Sequence, residues 1–140
     1  SRLATLMVLD TSALLAILLD EPERRAFTQA IERDPTRLIS VASFVECSLV
    51  LETRFGPDGL RDLDLFVARA QVTLAPVDVD QAYVARQAFR KFGKGRHAAA
   101  LNFGDCFAYA LSRTLAEPLL FKGGDFALTD VDRVTGATAP

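Results

Sequence analysis

The stretch MVLDTSALLAILLDEPE, residues 7–23, contains the pattern that decides the fold. A short apolar run at residues 7–9 stops at Asp10, and a helix-forming apolar stretch follows a group of capping residues. This order predicts a buried strand that leads directly into a helix. Ligand sites in parallel α/β sheets form at the carboxyl ends of the strands, so the acid at this junction is a candidate site residue.

The alternation of strand and helix continues along the chain. Further short apolar runs lie at residues 38–41, 72–77 and 118–121, with a weaker one near 131–134. Helical patterns cover residues 22–33, 42–55, 58–71 and 78–92, and another begins near residue 102. Asp78 with Gln81 and Asn102 with Asp105 are typical helix-start pairs. The alternation predicts an α/β fold with a parallel sheet covered by helices.

The composition indicates one compact domain over residues 1–140, because half of the residues are hydrophobic and 24% are charged. Sixteen Lys and Arg stand against eighteen Asp and Glu, a net charge of −2. No overall basic field exists to attract nucleic acid, so a polyanion must be bound locally. Residues 1–6 precede Met7, and we expect them to be an expression-derived leader outside the site.

The cysteine and hydropathy patterns exclude several classes. Two Cys and one His are too few for a four-ligand zinc site or a disulfide scaffold. We expect Cys47 and Cys106 to be buried thiols of a protein in a reducing compartment, the cytoplasm. No apolar run approaches the roughly 20 residues of a membrane helix, so no membrane association is expected.

Four acids lie inside or beside apolar segments: Asp10, Glu46, Asp105 and Asp125. Each aspartate alone is explained by a structural role, as a cap, a first-turn acid or a turn residue. Glu46 differs because it interrupts an apolar helix, where burial on most faces is expected. A buried carboxylate needs a cation or hydrogen-bond donors.

Convergence of the four acids would produce strong repulsion without a bound ion. A set of oxygen ligands points to Mg²⁺ or Mn²⁺ rather than zinc. The residues alone leave two interpretations open, namely an ion site at the sheet edge or scattered structural acids, since perturbed carboxylates occur in both.

The sequence resembles the PIN-domain ribonucleases, in particular the VapC toxins of toxin–antitoxin pairs. The resemblance is carried by four blocks in the family order: MVLDTSALLAILLDEPE (7–23), SFVECSLVLETRFG (43–56), GKGRHAAALNFGDCFAYALS (93–112) and PLLFKGGDFALTDV (118–131). One acid in each block matches a catalytic acid of the family, and these acids are the same four that the residue patterns select: Asp10, Glu46, Asp105 and Asp125.

The resemblance implies a three-layer sandwich with about five parallel strands flanked by helices. It also implies an endoribonuclease that requires Mg²⁺ or Mn²⁺ and cleaves RNA by metal-activated water. A VapB-type antitoxin would neutralise this activity, and the chain would form a homodimer.

The family motifs also imply roles for individual residues. Asp10, Asp105 and Asp125 are expected to ligate the metal, and Glu46 to ligate it or orient the attacking water. In supporting positions, Ser12 lies beside the first acid, while Thr129 and Asp130 form the family's TD pair near the cleft.

The densest basic stretch runs from residue 90 to residue 97, with Phe92 inside it as a candidate base-stacking surface. One interpretation is a loop in which Lys94 and Arg96 bind RNA phosphates beside an otherwise negative cleft. The other is a solvated, glycine-loosened loop without a binding role.

Two other classes of function share some of these features. A phosphoacceptor receiver domain also has a small parallel sheet and an acidic Mg²⁺ pocket, but Asp10 has no adjacent acid and Glu46 lies within a helix. An interaction protein that cleaves little would not need four intact acids. A Ser-His-Asp hydrolase is disfavoured because the chain lacks GxSxG.

Overall fold

The computed structural model describes residues 6–137, which form four strands, six α-helices and one 3₁₀ turn. The strands are β1 (Leu6–Leu9), β2 (Thr36–Ser40), β3 (Val72–Ala75) and β4 (Leu119–Leu120). The helices are α1 (Thr11–Leu18), α2 (Arg24–Arg33), α3 (Val41–Phe55), α4 (Pro57–Arg69), α5 (Val79–Phe92) and α6 (Phe103–Leu115), and the 3₁₀ turn is Phe126–Leu128.

The described strands form one parallel sheet in the order β3-β2-β1-β4. Leu9 at the end of β1 lies opposite Ile39 on one side and Leu120 on the other. The chain adds β2 and β3 on one side of β1 and then crosses to place β4 on the other. Parallel α/β sheets bind ligands at such a reversal of strand order, here the carboxyl ends of β1 and β4.

Helices cover both faces of the sheet, which confirms the three-layer α/β fold. Met7 and Leu9 point into a core shared with helices α1 to α4, whereas Val8 points into a second core shared with α5 and α6. This alternation is what a strand buried on both faces requires. Among the described residues, none of the helices is long and apolar enough to cross a membrane.

The expected fifth strand is wrong, since the part of the sheet within residues 6–137 has four strands. The segment near residues 131–134 makes a single bridge, between Arg133 and Leu119. Leu119 N donates to Asp132 O at 2.8 Å, and Val134 N donates to Leu119 O at 3.2 Å. Because β4 has only two residues, it is too short to form a regular ladder with a further strand. Asp132 and Arg133 remain exposed.

Local chemistry sets the element boundaries that differ from the expected ones. Val41 belongs to α3 rather than to β2, because the hydroxyl of Ser40 accepts a hydrogen bond from Ala42 N and caps the helix. β3 ends before Pro76, which has no N–H for the ladder. Leu6 is part of β1, and the rest of the expected leader, residues 1–5, lies outside the described residues.

Candidate active site

Asp10 directly follows β1 and is the N-cap of α1. Its Oδ2 accepts hydrogen bonds from Ser12 N at 3.0 Å and from Ser12 Oγ at 2.6 Å. Ser12 Oγ in turn accepts from Lys122 N at 2.9 Å. Ser12 therefore lies beside the first acid and joins the end of β1 to the segment after β4.

Asp10 is 3% exposed, and its charge is unfavourable in this position. Burial raises the pKa of Asp10 to about 6 against the lowering effect of the two Ser12 hydrogen bonds, and the charges of Asp105 and Glu46 raise it further. The carboxylate form at neutral pH is therefore held at an energetic cost, which a nearby cation would remove.

Asp105 lies in the first turn of α6 and forms a capping box with Asn102. Asn102 Oδ1 accepts from Asp105 N at 2.9 Å, and Asp105 Oδ2 accepts from Asn102 N at 3.0 Å. This confirms the predicted helix start. Burial raises the pKa of Asp105, the hydrogen bond from Asn102 N lowers it, and the charges of Glu46 and Asp125 raise it.

Glu46 lies on α3 and is partly buried, at a groove between α3 and α6. The groove has a volume of about 430 Å³ and is lined in part by Val45, Leu49 and Phe103. The expectation that Glu46 is buried on most faces is wrong, because Val45 and Leu49 are 53% and 58% exposed. The Glu46 carboxylate instead lies in the groove between α3 and α6.

The carboxylate of Glu46 lies against the backbone of the first turn of α6. A Cβ built on Gly104 would overlap it, at 2.7 Å from the carboxylate carbon and 2.9 Å from Oε1. Gly104 was not predicted as a site residue. Its signal in the sequence is a glycine inside a helix start, where glycine costs about 1 kcal/mol relative to alanine and so needs a packing reason.

Asp125 lies in the exposed turn that follows β4, immediately before the 3₁₀ turn. Phe126 anchors this turn by packing against Phe121, with ring centroids 5.3 Å apart. The charge of Asp125 acts on Asp105 and contributes to the raised pKa of that carboxyl. The acid after β4 is therefore near enough to the acid at the start of α6 for its charge to act there.

The four acids come from four separate segments, and their charges link them through Asp105. Asp105 is central, because its charge acts on Asp10 and because the charges of Glu46 and Asp125 act on it. Within residues 6–137, no three His, Cys, Asp or Glu side chains are already arranged as a group able to hold a metal ion. The carboxylate oxygens suit Mg²⁺ or Mn²⁺ in chemical type, and binding of such an ion would require them to move closer together.

Lys122 makes its ion pairs outside this group of acids. Its Nζ lies 3.2 Å from Glu21 Oε1 and 3.3 Å from Glu23 Oε1. The hydrogen bond to Glu21 is the main cause that raises the pKa of Lys122. These contacts attach the segment after α1 to the segment after β4.

The contacts of Thr129 and Asp130 are of a structural kind. Asp130 Oδ1 accepts from Tyr109 OH at 2.6 Å, and Thr129 Oγ1 donates to Phe126 O at 2.6 Å. Arg113 also donates to the carbonyl of Asp130 at 3.2 Å. Among the described residues, the hydrogen bonds of this pair involve none of the four acids, and they fasten the C-terminal segment to α6.

The loop at residues 93–97 presents Lys94 and Arg96 to solvent. The guanidinium of Arg96 lies 5.7 Å from the centre of the Phe89 ring. Phe92 is partly buried and packs on His97 and Tyr109, at 5.1 and 5.9 Å between ring centroids. The Phe92 ring is therefore partly covered by its own chain, and its use as a base-stacking surface stays a prediction.

Both cysteines are free and buried, as predicted. Burial raises the pKa of Cys47 to about 12, and the charges of Glu46 and Asp10 add to this effect. Burial and the charge of Asp105 raise the pKa of Cys106 to about 11. Such thiols are protonated at neutral pH and act as small hydrophobic side chains.

Comparison with known proteins identifies the family and the fold. The model of the PIN domain family matches residues 7–132. The chain is 56% identical over 128 residues to a ribonuclease VapC of Mycolicibacterium smegmatis, an alignment that covers 91% of this chain and 99% of that protein.

Two solved structures share the fold. VapC20 of Mycobacterium tuberculosis, a toxin that cleaves the sarcin-ricin loop, superimposes with a TM-score of 0.74 at 16% identity, covering 96% of this chain and 99% of that one. VapBC2 of Rickettsia felis, bound to a DNA fragment from its promoter, gives 0.75 at 10% identity, covering 92% and 97%. The match to the family model over most of the chain and the close VapC relative set aside the receiver-domain alternative. The chain belongs to the PIN-domain family, among the VapC ribonucleases.

Proposed function

We propose that this chain is the toxin of a toxin–antitoxin pair, an endoribonuclease that depends on Mg²⁺ or Mn²⁺. The observation that carries the proposal is the grouping of acids from four separate segments near the point where the strand order reverses, where Glu46 and Asp125 act on Asp105 and Asp105 and Glu46 act on Asp10. Identity of 56% to a ribonuclease VapC supports RNA as the substrate. The proposed place of action is the cytoplasm.

Asp10, Asp105 and Asp125 are the proposed metal ligands. When bound, the ion would neutralise these carboxylates and stabilise the negative charge that develops on the scissile phosphate. Ser12 keeps Asp10 in place through two hydrogen bonds, and the capping box holds Asp105 in the first turn of α6. Asp125 is exposed and is therefore free to turn toward Asp105.

Glu46 is the proposed group that binds the ion or orients the attacking water. Its carboxylate lines the open groove between α3 and α6, where it can accept a proton from water. The products expected from attack by water are 5′-phosphate and 3′-hydroxyl ends. The alternative route through the RNA 2′-hydroxyl uses two imidazoles, and the sequence has one histidine, whose Nδ1 accepts from Ala99 N.

Lys94 and Arg96 are proposed to contact RNA phosphates. Both are exposed on the loop that leads into α6, the helix whose first turn carries Asp105. Loss of a phosphate contact weakens binding with little effect on sequence preference. Thr129 and Asp130 are proposed to support the site indirectly, by holding the segment after Asp125 against α6.

The proposed partners are a VapB-type antitoxin and a second copy of the chain. VapBC2 of Rickettsia felis, which has this fold, supports pairing with an antitoxin. Large apolar side chains are exposed on α3, α5 and α6, and include Leu49, Val79 and Phe103. Apolar patches of this kind are typical of protein interaction surfaces.

Cleavage of total RNA by the wild-type chain and by Asp10→Asn, each with Mg²⁺ or with EDTA, tests the proposal. We expect cleavage only by the wild type with Mg²⁺, with 5′-phosphate products. Cleavage in EDTA, or 2′,3′-cyclic phosphate ends, would contradict the proposed chemistry. Equal activity of Asp10→Asn would contradict the role of Asp10.

A further inference from the structure

Gly104 occupies a position where a side chain would displace the carboxylate of Glu46. The three atoms nearest to a Cβ built there are Oε2, Cδ and Oε1 of Glu46, all within 3 Å. Real Cβ atoms do not approach other atoms this closely. The two residues lie on different helices, α6 and α3, so the contact is created by the packing of these helices.

The backbone of Gly104 does not itself require glycine. Its φ lies outside the left-handed region, and it sits in the first turn of a regular helix, where alanine is the better helix former by about 1 kcal/mol. Gly59 is different, because a Cβ there would meet the backbone of Leu51. The steric conflict at Gly104 involves the carboxylate of Glu46 first.

We infer that Gly104 is a positioning residue for catalysis, whose missing Cβ leaves the space that the Glu46 carboxylate occupies against the first turn of α6. This inference rests on the proposed role of Glu46. From this position Glu46 acts on Asp105, the next residue after Gly104, and on Asp10. The start of α6 also favours a carboxylate electrostatically, because the N-terminal end of a helix carries partial positive charge.

Substitution of Gly104 is expected to change the activity of the protein without lowering its stability. The three atoms that a methyl group there would meet first all belong to the far end of a flexible side chain, which can rotate away without moving the backbone. The fold should therefore tolerate Gly104→Ala, and α6 should gain helix propensity. The Glu46 carboxylate, in contrast, must leave its place beside Asp105.

The test compares Gly104→Ala with Gly124→Ala, a matched control. Gly124 also lies directly before one of the acids, its φ lies outside the left-handed region, and a Cβ there meets nothing within 4 Å. We expect Gly104→Ala to lower kcat/KM for RNA cleavage by about 10- to 100-fold, as misplacement of a catalytic group by about 1 Å does. Its urea midpoint should stay equal to the wild-type value or rise. Gly124→Ala should keep the wild-type activity.

A second arm uses the shorter carboxylate of Glu46→Asp. Because Asp lacks one methylene, its carboxylate does not reach the position of the added methyl. Gly104→Ala should therefore cost much less activity in the Glu46→Asp background than in the wild-type background, and this non-additivity measures the contact. A crystal structure of metal-free Gly104→Ala should show the Glu46 carboxylate turned away from α6.

The outcomes separate this inference from the proposed function. If Glu46→Gln keeps full activity, the proposed role of Glu46 is wrong. If Glu46→Gln is inactive while Gly104→Ala is fully active, only the positioning role is overturned. Parallel loss of stability and activity in Gly104→Ala, or an unmoved carboxylate in its crystal structure, also overturns it.

Discussion

Asp10 is subject to two opposing demands at the scale of the single residue. As the cap of α1 it must accept hydrogen bonds from Ser12, which favours the ionised carboxylate. As a buried group near Asp105 and Glu46 it is driven toward the protonated form, and burial dominates. A divalent cation bound as proposed would resolve the conflict, because it would favour the ionised form without loss of the cap.

The raised pKa of Asp10 predicts how the metal-free protein responds to pH. Because the folded pKa is about 6 and the ordinary value 3.8, ionisation disfavours the folded state. This group therefore leaves stability intact below about pH 4 and lowers it as pH rises through 6. At about 1.4 kcal/mol per pKa unit, the loss reaches about 3 kcal/mol.

Urea unfolding in EDTA between pH 4.5 and 7.5 measures this effect. Asp10→Asn, which does not ionise, should become more stable than the wild type as the pH increases. Acids away from Asp10 titrate alike in both proteins and cancel in the comparison. Parallel stability curves for the two proteins would show that Asp10 has an ordinary pKa.

At the scale of the element, the start of α6 combines a structural and a chemical role. The capping box between Asn102 and Asp105 satisfies backbone N–H groups of the first turn. The same Asp105 carboxylate feels the charges of Glu46 and Asp125. Asp105 can thus cap α6 and also belong to the candidate site.

Substitution of Asn102 tests this double role. Asn102→Ala should lower the free energy of unfolding by about 1 kcal/mol, because Asp105 N loses its acceptor. RNA cleavage should fall as well, since the first turn no longer holds Asp105. Asn102→Ser keeps a capping oxygen and should restore most of both properties. If Asn102→Ser remains as defective as Asn102→Ala in urea unfolding and in cleavage, the cap is not the cause.

The secondary-structure elements also differ in how well the sequence predicts them. The helices and four strands were predictable because their apolar residues recur with the period of each element, and the acids because they interrupt or end those runs. The failure of residues 131–134 to form a fifth strand was not predictable. A strand at the edge of a sheet depends on the length of its neighbour, and β4 has only two residues. The contact between Glu46 and Gly104 depends on how α3 packs on α6, which no local pattern contains.

At the scale of the whole molecule, the site depends on topology. The chain crosses from one side of β1 to the other and places β4 next to β1. Asp125, which follows β4, is thereby brought to the same edge of the sheet as Asp10, which follows β1. Helices α3 and α6 then supply Glu46 and Asp105 from opposite faces of the sheet. We therefore expect ion binding to be a property of the folded chain rather than of any one segment.

Calorimetric titration of the RNA-free protein with Mn²⁺ tests this claim most directly. The wild type should bind Mn²⁺ at the site, and Asp10→Asn, Asp105→Asn and Asp125→Asn should each bind it much more weakly. Asp132→Asn, which changes an exposed aspartate outside the group, should bind like the wild type. Equal Mn²⁺ affinity in all five proteins, or none in the wild type, would contradict the convergence of these carboxylates on one ion.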